Sequence, residues 1–226
     1  MARLAVILFG PPAAGKGTQA RMVGAALRFP VISTGDILRE AVRNKTGLGV
    51  QAQGYMESGA LVPDSLVDAI VEERLRREDC SAGFILDGYP RTIQQAMFLS
   101  EAFRDEKLKT VVVGISVDDA ILVQRISGRR SCPKCGKVFS AASLPDQGEL
   151  TCDDCGTGLV QRKDDTAEVM KERLEVYHRQ TRPLIDHYSQ KGWYVPIEGN
   201  QPVKDVYDSI LKIVESQIQD VAAKTH

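Results

Sequence analysis

The sequence predicts an α/β fold: a parallel sheet wrapped by helices, with one small inserted ribbon. Three observations support it. Short β-branched apolar runs alternate with amphipathic helical patterns. The runs are apolar at consecutive positions, as in strands covered on both faces. One stretch, 131–163, breaks the alternation with four cysteines, glycines and polar turns.

The predicted strands are "LAVILFG" (4–10), "VIST" (31–34), "GFILDG" (83–88), "TVVVGISV" (110–117) and "WYVPIEG" (193–199). Between them, "LVPDSLVDAIVEERLRR" opens a helix near Pro63 and puts Val67, Ile70, Val71 and Leu75 on one face. After the ribbon, Asp165 and Glu168 stand at capping-box spacing, and Pro183 should interrupt the helix that follows. The last helix is expected over 203–222.

Composition excludes several classes of function. Lysine plus arginine (29) nearly balance aspartate plus glutamate (30), so no broad basic surface awaits a nucleic-acid backbone. The first apolar run is too short for a signal peptide, and no stretch approaches the roughly 20 residues that span a membrane. The expectation is a soluble cytoplasmic chain with no nucleic-acid and no membrane partner. Trp193 and Cys80 read as packing residues, and the histidines receive no role.

Gly10, Gly15 and Lys16 fit G-x-x-x-x-G-K between a strand and a helix. In that setting backbone N–H groups and a helix N-terminus face a phosphate while the lysine adds a point charge. Gly17 fills the usual Ser/Thr position and Thr18 follows it. Asp87 ends an apolar strand, where a carboxylate can serve a magnesium ion or simply close a turn. Arginines suit phosphoryl transfer because their forked donors match phosphate oxygens. Sequence alone does not single out which of them take part.

Cys132, Cys135, Cys152 and Cys155 read C-x2-C-x16-C-x2-C, the spacing of a zinc ribbon with two knuckles. Gly136 and Gly156 follow the pairs and let the backbone fold toward a metal. A four-thiolate site has no open position, so zinc would be structural, supplying folding energy that the small insert lacks.

Taken together, "GPPAAGKGTQ", "STGDILR", "SGALVPD", "GFILDGYPRTIQQ", "RISGRR" and "QRKDD" stand in an order that resembles the adenylate kinases, of the long bacterial type with a four-cysteine lid. The resemblance covers nearly the whole chain. It implies a P-loop nucleoside-monophosphate-kinase fold and reversible, Mg²⁺-dependent phosphoryl transfer between ATP and AMP. The core would be 1–127 and 166–226, the AMP-binding segment 33–62 and the lid 128–165, in a monomer.

By matching position, Ala13, Ala14, Gly15, Lys16, Gly17, Thr18, Arg125, Arg129, Val138, Phe139 and Gln201 would meet ATP. Thr34, Arg39, Ala60, Leu61, Val62, Gly88, Tyr89, Pro90, Arg91 and Gln95 would meet AMP. Arg162 and Arg173 would close over the transferred group, and Asp87 would organise magnesium through water. The catalytic set would be Lys16, Asp87, Arg91, Arg129, Arg162 and Arg173. Ala13 stands where the family commonly has glycine, and its cost depends on the sign of φ there. Ala60 replaces a frequent lysine. Three rivals have discriminating features: a UMP or CMP kinase (Thr34 and Gln95), a silent nucleotide switch (the charged positions), and a nucleic-acid-binding ribbon. Against the last, Lys134, Lys137, Arg162 and Lys163 face Asp146, Glu149, Asp153 and Asp154.

Overall fold

The structure is a computed structural model that describes residues 3–102, 108–141, 144 and 150–223. Asp146 and Glu149 lie outside the described residues.

In chain order the strands are β1 (Arg3–Phe9), β2 (Val31–Ser33), β3 (Gly83–Asp87), β4 (Leu108–Ser116), β5 (Arg129–Ser131), β6 (Val138–Ser140) and β7 (Tyr194–Glu198). The helices are α1 (Lys16–Leu27), α2 (Thr34–Arg43), α3 (Gly47–Ser58), α4 (Asp64–Leu75), α5 (Ile93–Ala102), α6 (Asp119–Ser127), α7 (Ala167–Val176), α8 (Leu184–Gln190) and α9 (Val203–Ala223). Five strands pair in parallel in the order β2-β3-β1-β4-β7, while β5 and β6 make an antiparallel ribbon apart from them.

Helices cover both faces, which is why the strands are apolar at successive positions. Ala5, Ile7 and Phe9 point to one core with Leu38, Val67, Val71, Leu99 and Leu184. Leu4, Val6 and Leu8 point to the other with Ala20, Val23, Leu122, Met170 and Ile210. Each fully buried aliphatic side chain contributes about 2 kcal/mol by leaving water. All five predicted strands of the main sheet are present, with shifted ends. Val67, Val71 and Leu75 form the buried face of α4, and Ile70 packs at its edge.

The predicted capping box requires correction. Thr166 caps α7, its hydroxyl accepting from Val169 N–H at 3.2 Å, one residue later than expected. Asp165 is instead buried and paired with Arg129. Before Pro183 the helix widens into a π-helical turn, Tyr177–Thr181, where Arg182 N–H donates to the Tyr177 carbonyl at 2.8 Å. Proline has no N–H to continue the ladder, and the chain resumes as α8. Among the described residues no helix is long and apolar enough to cross a membrane.

Candidate active site and metal centre

The C-terminal ends of three adjacent strands meet at one place. In register, Leu8 of β1 lies beside Asp87 of β3, and Asp87 beside Ser33 of β2. Strand order reverses here: the chain visits β2 and β3 on one side of β1, then crosses to β4 on the other. Parallel sheets gather ligands at such a point.

The turn after β1 supplies the first group. A Cβ on Gly10, where φ is 144°, would lie 2.5 Å from the Ile115 carbonyl, so only glycine lets the loop leave the strand beside β4. Gly15 precedes α1 at φ 94°, and Lys16 folds back so that Nζ donates to the Gly10 carbonyl at 2.8 Å and the Pro11 carbonyl at 2.7 Å. Burial pushes Lys16 down to about 8, against the opposing pull of Asp87. A Cβ on Gly17 would come within 3.2 Å of Asp87 Oδ2, so the glycine after the lysine leaves room for that carboxylate. Ala13 stands at φ 62°, in the left-handed region that costs an alanine about 1 kcal/mol.

Cations converge from five parts of the chain: the phosphate turn, α2, the segment after β3, the ribbon and α7. Lys16 is electrostatically coupled to Arg91, Arg129 and Arg173, and Arg91 to Arg173 and Arg39. Arg162 is coupled to Arg39 and Arg129. Crowding by protein pushes Arg91 and Arg162 each down to about 10, so both stay charged at neutral pH.

Acidic partners hold several of these arginines. Arg129 Nε donates to Asp165 Oδ2 at 2.7 Å, Arg173 pairs with Asp164, and Arg39 donates to Asp36 at 2.6 Å. Burial acts to raise Asp36 and Asp164, but Arg39 beside the first and Arg173 beside the second hold both below the usual carboxylate range. Sequence reading missed Asp36, Asp164 and Asp165 as parts of the site. The available signal was two adjacent acids directly after Arg162-Lys163, a costly pair unless cations answer it.

A cleft of about 70 Å³ adjoins this cluster, lined by Thr34, Arg39, Ala60, Leu61, Val62, Gly88, Arg91, Gln95 and Arg173, with Gly35, Leu38, Met56, Gly59 and Val67. Thr34 Oγ1 donates to the Gly88 carbonyl at 2.9 Å. Arg91 is held at three points: Nε donates to Gly88 O at 2.8 Å, its N–H to Gln95 Oε1 at 2.7 Å, and its carbonyl accepts from Thr181 Oγ1 at 2.9 Å.

Three expected members of the acceptor set stand elsewhere. Tyr89 and Pro90 are buried and do not line the cleft, because the Tyr89 ring belongs to the core and its hydroxyl donates to Asp68 at 2.6 Å. Arg162 faces the ribbon side, where Nε donates to Ser131 Oγ at 3.3 Å. Arg125 donates to the Gly199 carbonyl at 2.9 Å, beside the turn that carries exposed Gln201. Val138 and Phe139 are half-buried in β6, with Lys137 Nζ 5.6 Å from the Phe139 ring centre.

The ribbon brings its four cysteines together as two matching knuckles. Cys132 N–H donates to Lys137 O and Gly136 N–H to Cys132 O, both at 2.9 Å. Cys152 N–H likewise donates to Thr157 O at 2.9 Å and Gly156 N–H to Cys152 O at 2.8 Å. Gly136 and Gly156 turn the chain at φ 71° and 67°. Sγ atoms of Cys132 and Cys155 lie 3.4 Å apart, those of Cys135 and Cys152 3.6 Å, and all four fall within 4.8 Å of one another. Metal–sulfur bonds of about 2.3 Å in a tetrahedron require edges near 3.8 Å, so the donor set fits one thiolate-bound ion. A disulfide would need sulfurs about 2.05 Å apart.

The chain is similar in sequence to known proteins. The family model described as adenylate kinase matches residues 8–193. An adenylate kinase of Caldanaerobacter subterraneus subsp. tengcongensis is 46% identical over 217 residues, covering 95% of this chain and 98% of the relative. One from Caldicellulosiruptor bescii is 49% identical over 208 residues, covering 92% and 97%. Another, from Clostridium tetani, is 45% identical over 210 residues, covering 92% and 97%. Fold, P-loop, arginine cluster and these matches agree: the chain belongs to the adenylate kinase family.

Proposed function

We propose that this kinase moves the γ-phosphoryl group of Mg-ATP to AMP, reversibly, giving two ADP. The observation that carries the reading is the cleft beside the P-loop. Two neutral polar side chains, Thr34 and Gln95, stand in it together with Arg39, Arg91 and Arg173, which match a purine base and a phosphate respectively. Lys16, Arg125 and Arg129, with the loop 13–18, would hold ATP. Val138, Phe139 and Gln201 would flank its nucleoside.

Transfer needs little covalent chemistry from the protein. Positioning and charge stabilisation suffice; Lys16, Arg91, Arg129 and Arg173 would surround the space between donor and acceptor, and Arg162, which faces the ribbon in this structure, would join them on lid closure. Asp87, at the end of β3 beside Gly17, would orient magnesium through water. Bound magnesium neutralises charge that develops on the phosphate oxygens.

The four thiolates suit zinc, which would hold the ribbon rigid and take no part in transfer. We assign 128–165 to a lid, 33–62 to the AMP-binding segment, and 1–127 with 166–226 to the core. Closure over the phosphates would exclude water, the competing acceptor. Arg43 Nη1 donates to the Pro133 carbonyl at 2.5 Å, joining the AMP-binding segment to the first knuckle. Balanced charge argues against a nucleic-acid partner, and the family resemblance alone is the basis for assigning a cytoplasmic monomer.

The test is ADP formation from Mg-ATP offered AMP, GMP, CMP and UMP separately, with a no-acceptor control. A fast rate confined to AMP is expected. Preference for a pyrimidine would reject the base assignment, and no turnover would favour a nucleotide switch.

A further inference from the structure

Gln95 is buried, with its amide fixed by two groups of opposite chemistry. Oε1 accepts from Arg91 N–H at 2.7 Å, and Nε2 donates to Asp64 Oδ1 at 2.8 Å. Asp64 is itself held: Oδ2 accepts from the Thr92 hydroxyl at 2.7 Å, and Thr92 Oγ1 accepts from Gln95 N–H at 3.1 Å. The ring closes at the first residue of α4, where the helix N-terminus favours a carboxylate.

A backbone N–H can only donate and an ionised carboxylate can only accept. Turning the Gln95 amide over would set donor against donor at Arg91 and acceptor against acceptor at Asp64. Each buried mismatch lowers the flipped population by about tenfold or more. The amide keeps one N–H and one oxygen lone pair for the cleft. That pair matches N1 and the 6-amino group of adenine. It opposes the N1–H and 6-oxo group of hypoxanthine or guanine, which a flipped amide would accept. Thr34 agrees with this polarity, because its single hydroxyl hydrogen goes to Gly88 O and leaves only acceptor capacity.

We propose that Asp64 is a specificity-determining positioning residue, locking Gln95 in the orientation that takes a 6-amino purine and refuses a 6-oxo purine. The proposal rests on the reading of the cleft as the AMP site and adds to it the origin of base choice. Asp64 touches no substrate; it acts through Gln95.

The experiment compares kcat/KM for AMP, IMP and purine riboside 5′-monophosphate, with Mg-ATP as donor, in the wild type and in Asp64→Asn. In the wild type, IMP should fall at least tenfold below the unsubstituted purine nucleotide, because a locked amide repels the 6-oxo edge and merely loses a contact to bare purine. IMP equal to or better than bare purine would overturn the lock without any variant. The asparagine amide can donate to a flipped Oε1, so Asp64→Asn should narrow the AMP-to-IMP ratio at least tenfold, raise IMP turnover in absolute terms and leave KM for ATP unchanged. A parallel loss with both nucleotides and an unchanged ratio would make Asp64 merely structural. No AMP turnover in the wild type would overturn the AMP reading itself, whereas strong AMP preference with an unmoved ratio would overturn only the lock.

Discussion

Arg129 and Asp165 form a two-point ion pair that joins the first strand of the ribbon to the segment leading into α7. Nε donates to Oδ2 at 2.7 Å, Nη2 donates to Oδ1, and the Asp165 side chain is 0% exposed. Asp165 Oδ1 also lies 4.0 Å from Arg173 Nη1, so one carboxylate orients two arginines of the cluster. Removing it leaves the half-buried Arg129 without its partner, at a cost of about 3 kcal/mol. Asp165→Ala should lower the melting temperature by roughly 9 °C and raise KM for ATP. An unchanged melting temperature in calorimetry would show that the pair contributes nothing to stability.

Lys16 carries a charge that burial opposes, with its pKa held down to about 8. The protonated form supplies the charge a phosphate needs, so kcat/KM for Mg-ATP should fall as pH rises through about 8. Bound phosphate favours the ammonium, so the inflection in kcat should lie higher. Stability has the opposite sign. The unfolded chain binds the proton more tightly between about pH 8 and the ordinary lysine value, so stability should rise across that window. Lys16→Met should lose the rise of stability across that window and abolish turnover while keeping the circular dichroism spectrum. Near-normal turnover in that variant would reject the P-loop assignment.

Ala13 adopts φ 62°, where glycine is at home and alanine is strained. Ala13→Gly relieves about 1 kcal/mol of strain but restores about 0.5 kcal/mol of unfolded-chain freedom. The melting temperature should rise by about 1–2 °C. A β-branched residue tolerates this region least, so Ala13→Val should destabilise the protein. The order Gly, Ala, Val in a thermal melt is the check.

The thiolate cluster predicts one bound zinc per chain. Cys152→Ala should abolish it by metal analysis, lower the temperature at which the ribbon melts, and leave part of the core turnover. Full zinc content in the variant would rule out the four-thiolate site.

Thr181 reaches from the π-helical turn to the Arg91 carbonyl at 2.9 Å. Thr181→Val keeps the shape and removes the donor, at a cost of about 1 kcal/mol. KM for AMP should rise several-fold while KM for ATP holds. Equal changes in both would indicate a general loosening of the fold.

Patterns that depend on near neighbours were legible in the sequence. Continuous apolar runs identified the strands of the main sheet because helices cover both faces, and C-x2-C spacing identified the knuckles because a local turn brings each cysteine pair together. The G-x-x-x-x-G-K turn was legible for the same reason. Side-chain partnerships across long separations were not. Asp165 read as a helix cap, yet Arg129, 36 positions away, claims its carboxylate while Thr166 takes the cap. Tyr89 sat inside a binding motif, yet its ring turns into the core toward Asp68. Asp64, 31 positions from Gln95, carried no local mark of its role. By itself the sequence determined the strands, the phosphate turn and the metal knuckles, because backbone geometry and burial act over a few residues. Which acid holds which arginine, and which way Gln95 faces, only the tertiary structure decided, because those choices depend on charges and donors that folding alone brings within hydrogen-bond reach.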